Sequence, residues 1–250
     1  MRELKARSPT LDRLLKFVLD GVPPPTDDFE GELAVWLNAS SRFAAFVDAH
    51  RDKIRKKLRV AADPESRGDV RAELETASLL LADRRIDLAF EAYGTGRRGP
   101  DFTVTFRASH RFNLEVTRPR TRDDRVDPKS AIANALLAKL RQLPVDSPNA
   151  LFIATGLARS DDEVAGAVRA LRLRADQGDE RNIEGRGLST PEFQRLYRRL
   201  AVVFVASATG QGVHAWTNPE APRRLPHGAT AACLACLGAL RAKPEASVET

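Results

Sequence analysis

Two segments of this 250-residue chain, Ala150–Ala154 (ALFIA) and Ala201–Ala206 (AVVFVA), contain no polar side chain. A short apolar run of this kind reads as a strand buried on both faces, in the middle of a sheet with helices above and below it. Helical patterns separate the two runs, from Asp161 to about Leu173 and from Thr190 onward, with a polar loop at Asp176–Ser189 between them. Upstream, three shorter segments alternate with a period of two: Ile86, Leu88, Phe90; Phe102, Val104, Phe106; and Phe112, Leu114, Val116. Such spacing predicts half-buried strands, close enough together to form a meander. A helix at about 128–143 follows, opened by Asp127-Pro128. Gly212–Trp216 is expected to add a strand and Ala229–Ala242 a last helix.

The first 60 residues are helical in pattern. Leu11, Leu14, Leu15 and Val18 keep a 3.6-residue period behind Ser8-Pro9-Thr10 and stop at Gly21 and Pro23-Pro24-Pro25. Two more patterns follow (Phe29, Leu33, Trp36, Leu37, then Phe43, Phe46, Val47, Ile54, Leu58). After Ala62-Asp63-Pro64 comes a fourth helix, roughly 66–83. The expected organisation is a helical subdomain or wrap over 1–62 and an α/β (α+β) domain over 63–250, three-layered, with a mixed central sheet flanked by helices.

The uncharged, Ala- and Gly-rich run Gly228–Leu240 is too short to span a bilayer, which takes roughly 20 apolar residues. The first 20 residues carry charges throughout, and two cysteines cannot build a disulfide framework, so a cytoplasmic protein without membrane partners is expected. A net charge of +6 favours a polyanionic partner. Of the basic residues 32 are Arg and eight are Lys, a skew that suits phosphate but that genome composition produces equally well.

Three acids stand out by position. Asp101 opens the second alternating strand directly after Pro100. Glu115 sits in the third strand, on the face it shares with Asn113 and Thr117. Glu73 lies on the helix before the meander, on the stripe that continues through Ala77, Leu80 and Leu81. Carboxylates on neighbouring strands can share a hard divalent cation. Lys139 and, one turn later on the same face, Gln142 follow on the next helix.

This order, a helix with an acid, a strand, Pro-Asp, Glu-x-Thr in the next strand, a helix and a buried strand, resembles the PD-(D/E)XK nuclease superfamily over about residues 66–156. The resemblance implies the restriction-endonuclease-like fold, Mg²⁺ or Mn²⁺ held by Asp101 and Glu115, an accessory role for Glu73, and hydrolysis of DNA phosphodiester bonds. Where the family places a lysine to orient the attacking water, this chain has Thr117. Lys139 is then the relocated cation and Gln142 the polar helix residue near the site, or else the chain is a catalytically inactive module of the same fold that binds nucleic acid or a protein partner. The residues leave a homodimer open.

Eight arginines against four acids fall between Arg97 and Arg125, and Arg97, Arg98, Arg118, Arg120 and Arg122 are the expected contacts to a duplex DNA backbone. A second basic stretch, Arg51–Arg59, reads as a solvated helix face. Gly94–Gly99 matches G-x-G-x-x-G but leads into Pro-Asp and a strand instead of a helix, so no dinucleotide site is expected. Cys233 and Cys236 lie in an apolar helix without a second pair, and the four histidines lack metal-ligand spacing.

Overall fold

The computed structural model describes residues 9–22, 28–93, 99–119, 127–177, 188–209 and 212–239. The chain divides into two compact units, 1–84 and 85–250. In the first, α1 (Pro9–Leu19), α2 (Phe29–Ala39), α3 (Ser41–Val60) and α4 (Pro64–Leu80) form in sequence. Ser40 caps α3 by accepting from the Phe43 N–H, and Asp63 caps α4 by accepting from the Ser66 N–H, with Pro64 in the first turn where no donor is required. Gly21, at φ 70°, ends α1 in a conformation an L side chain resists. Leu14, Val18, Leu33, Phe43, Ile54 and Leu58 are buried, as their period predicts. The expected boundary at 62/63 differs from the observed division at 84/85: α4 groups with the preceding helices because it packs on α2 and α3.

The second unit is built on a six-stranded mixed sheet in the order β1-β2-β3-β4-β5-β6. Its strands are β1 (Ile86–Phe90), β2 (Phe102–Phe106), β3 (His110–Thr117), β4 (Asn149–Ala158), β5 (Leu200–Ser207) and β6 (Val213–Thr217). The first three form the antiparallel meander expected, β3, β4 and β5 are mutually parallel, and β6 returns antiparallel. The two apolar runs are the centres of β4 and β5, with Phe152, Ile153, Val203 and Phe204 fully buried.

One face of β4 and β5 (Leu151, Ile153, Val203, Val205) packs into a core with α5 (Pro128–Lys139), α6 (Asp161–Asp176) and α7 (Thr190–Tyr197). On the opposite face lies α8 (His227–Leu237), its start near Phe106 of β2 and its end near Gly212 before β6. The protein is therefore α+β with a mixed sheet covered by helices. Helix α5 stops earlier than expected: at Lys139 it tightens into a 3₁₀ turn over Leu140–Gln142. The last helix begins two residues early, and Gly238 follows its last turn at Leu237. Among the described residues no helix is long and apolar enough to cross a membrane.

Candidate functional site

The antiparallel register pairs Phe102 with Leu114, so the next row along the same strands holds Asp101 and Glu115. Both point to the face covered, over β4 and β5, by α5 and α6, because Glu115 pairs with Leu151 across the parallel ladder. Pro100 falls opposite Val116 and has no N–H to give the ladder. Beyond Phe102 the strands are joined through side chains: the Val116 N–H donates to Asp101 Oδ2 at 2.8 Å, and the Asp101 N–H donates to Glu115 Oε2 at 3.2 Å. Lys139, the last residue of α5, completes the group by donating from Nζ to Glu115 Oε1 at 2.6 Å.

Glu115 is 1% exposed and the Lys139 side chain 24%. Burial, followed by the negative charge of Asp101, pushes the Glu115 carboxyl up to about 7, against the pull of the Lys139 ammonium. The chain therefore holds an acid pair at the junction of a meander and a parallel sheet, with the Lys139 ammonium at its edge.

Next to it runs a buried polar network. Asn113, two residues before Glu115 on the same face, accepts at Oδ1 from the Tyr93 hydroxyl at 3.1 Å and from Thr103 Oγ1 at 3.3 Å. Its Nδ2 donates to Asn149 Oδ1 at 3.0 Å, and Asn149 Nδ2 donates to the carbonyls of Pro144, Ser147 and Arg199. These side chains satisfy the groups that the strand ends leave open. Thr103 could have been found from its spacing of two from Asp101; Tyr93 and Asn149 carry no such signal.

Of the residues expected at the site, Asp101, Glu115 and Lys139 meet directly. Thr117 is the next residue on the same face and is half-buried. Gln142 ends the 3₁₀ turn that follows Lys139 and is also half-buried. Glu73 belongs to the other unit, where it is buried on α4 and accepts from Lys57 Nζ of α3 at 2.5 Å. Arg118, one residue past β3, is half-buried, with its Nη1 out of water and without a hydrogen-bond partner among the described residues. Arg97, Arg98, Arg120 and Arg122 lie outside the described residues, as does most of the Gly94–Gly99 segment. Cys233 is buried in α8 and Cys236 half-buried.

Two carboxylates from adjacent strands, all oxygen donors, fit a hard divalent cation such as Mg²⁺, which binds through one or two carboxylates and keeps several waters. Among the described residues no group of three or more His, Cys, Asp and Glu side chains forms a fuller cage. Compared with protein-family models, curated proteins and solved structures, the chain matches none of them.

Proposed function

We propose that the protein is a metal-dependent nuclease of the PD-(D/E)XK type, with the restriction-endonuclease-like fold, that hydrolyses DNA phosphodiester bonds. One observation carries the reading: Asp101, just before β2, is bonded to Glu115 of β3, and the Lys139 ammonium is bonded to Glu115. Asp101 and Glu115 are the residues that would hold Mg²⁺ or Mn²⁺. A bound cation of that kind supplies a water of lowered pKa and neutralises charge on the phosphodiester. Lys139 keeps a positive charge beside the acids, where the family's strand lysine is replaced by Thr117, and stabilises negative charge gathering on the phosphate. Thr117 offers a hydroxyl on the same face to orient a water. Asp101 also fixes the end of β3 through the Val116 N–H, which keeps both acids in register.

A second reading rests on the same bond. With Lys139 already serving as the internal counter-ion of Glu115, the site is complete as a structural unit, and the fold then acts as a catalytically silent nucleic-acid-binding module. Plasmid nicking separates the two. Wild type, Asp101→Asn and Glu115→Gln are incubated with supercoiled DNA in Mg²⁺, Mn²⁺ or EDTA. Nicking by wild type that needs the metal and disappears in both variants is expected. Retention of DNA by wild type without nicking in either metal replaces the nuclease with the silent module.

A further inference from the structure

The helical unit separates its charge by element. Helices α1 and α3 together carry nine Lys and Arg against three acids, whereas α2 and α4 carry two against six. Most of the basic residues fall between Arg51 and Arg59 of α3, the stretch that reads in the sequence as a solvated helix face. Arg51, Lys53, Lys56 and Arg59 are exposed there, and Arg55 is half-buried. Lys57 is taken up by the buried Glu73 of α4.

Helix α1 lies along α3 and fixes the arginines nearest to it. The Phe17 ring has the Arg55 guanidinium over it at 4.2 Å and that of Arg51 at 5.2 Å. Just past α1, Asp20 accepts from Arg59 through its carbonyl at 2.8 Å and its Oδ2 at 2.9 Å, with Arg55 3.6 Å from the same carboxylate oxygen. Gly21 leaves room for this contact, because a Cβ there would stand 2.7 Å from Arg59 Nη2. Arg51, Arg55 and Arg59 therefore follow one another at single-turn steps along the seam, spanning about 12 Å. Toward the start of both helices a groove of about 580 Å³ opens between them, with Arg13 of α1 and Arg51 of α3 on its walls and Leu14 and Ala44 in its apolar lining.

We propose that this face of α1 and α3 binds the phosphate backbone of duplex DNA. Arginine forks match phosphate oxygens, and forks already held by a ring or a carboxylate lose little side-chain freedom on binding. The seam of arginines is as long as about three to four nucleotides of one strand, at 3.4 Å of axial rise each. The basic surface is also wider than the groove. Lys53, two residues before Arg55, lies on the far side of α3 from α1, beyond the reach of a peptide helix seated in the groove, while a charged backbone runs over the whole helix face. The two acids of α3 are Asp48, which already accepts from Arg51, and Asp52. The proposal goes beyond the nuclease reading, because the helices hold DNA whether or not the acid pair of the other unit cleaves it.

The test is binding, measured without cleavage. Fluorescence anisotropy of a fluorescein-labelled duplex DNA in EDTA is followed from about 50 to 200 mM NaCl with the full chain. Arg51→Gln/Lys56→Gln is expected to weaken binding about tenfold at the lowest salt and to lower the slope of log K against log [NaCl] by about 2. Arg51→Lys/Lys56→Arg keeps the slope, and the α6 surface control Arg169→Gln leaves both quantities unchanged. If the glutamine pair does not fold, Lys53→Gln/Lys56→Gln is expected to lower the slope by the same amount. A folded glutamine variant with wild-type affinity and slope overturns the proposal even where the wild type nicks DNA. So does a wild type that does not retain duplex at the lowest salt. Binding that is lost in the glutamine variant and kept in Asp101→Asn supports the proposal whether or not plasmid is nicked. A wild type that binds fluorescein-labelled polyglutamate more tightly than duplex of equal charge overturns the nucleic-acid assignment and makes the face a receptor for acidic protein.

Discussion

Lys139 Nζ lies 2.6 Å from Glu115 Oε1, so the end of α5 is tied to the middle of β3 by an ion pair whose carboxylate is out of water. The ammonium is the counter-charge that lets a buried acid ionise beside a second acid. Lys139→Met removes it while keeping the aliphatic stem. Because the lysine is partly exposed, the expected cost is about 2 kcal/mol at pH 8, below what breaking a fully buried pair costs. The same substitution costs less at pH 5, where Glu115 is protonated and asks for no counter-ion. Urea unfolding at both values checks this; equal losses at pH 5 and pH 8 would show that Lys139 contributes packing alone.

The Glu115 carboxyl is raised to about 7 from an ordinary 4.5, so ionising it works against the fold. Its favourable contribution is complete below about pH 4.5 and is lost as pH rises through 7, a swing on the order of 3 kcal/mol. Asp101→Asn removes the neighbouring negative charge and keeps an oxygen for the Val116 N–H. Stability of this variant, followed by urea unfolding from pH 5 to pH 8, is expected to fall less steeply than that of wild type. A parallel profile would mean that burial alone raises the carboxyl.

A cation bound between the acids stabilises the folded chain by mass action. With a dissociation constant of about 1 mM, 10 mM Mg²⁺ adds about 1.4 kcal/mol, which raises the midpoint of thermal unfolding by about 3 °C. Asp101→Asn and Glu115→Gln are expected to lose that rise. The same rise in all three proteins would place the cation elsewhere.

Asn149 is fully buried and serves three carbonyls and one side-chain amide. Asn149→Leu keeps the branched shape and leaves those groups without that partner, for an expected loss of about 3 kcal/mol in equilibrium denaturation. On the nuclease reading its folded fraction should nick DNA as wild type does, since the hydrogen bonds of Asn149 go to Asn113 and to the Pro144, Ser147 and Arg199 carbonyls. Lost nicking at full folding would make the asparagine network part of the site.

The strands were legible because their period changes from 3.6 to 2 at Ile86, and β4 and β5 because an uninterrupted apolar run has no other stable place in a sheet. The pairing of Asp101 with Glu115 also follows from the chain: a tight turn between Phe106 and His110 sets the register that carries it. Lys139 was legible as a helix residue, but its contact depends on how α5 settles on β3 and β4, which no local pattern states. For Asn149 the signal was misleading, since a polar residue before an apolar run reads as the end of a loop. The stripe containing Glu73 shows that its face is buried without showing what buries it; within its own unit the partner is Lys57, 16 residues earlier.

The spacing of these contacts along the chain sets an order of assembly. Asp101 and Glu115 are joined across a hairpin, 14 residues apart, whereas Lys139 reaches Glu115 from 24 residues away. Local hairpins close in microseconds, and longer-range pairings follow. This order predicts that the two carboxylates meet while water still surrounds them and lose it when α5 docks, so that docking is expected to be slower where Glu115 is ionised than where it is protonated.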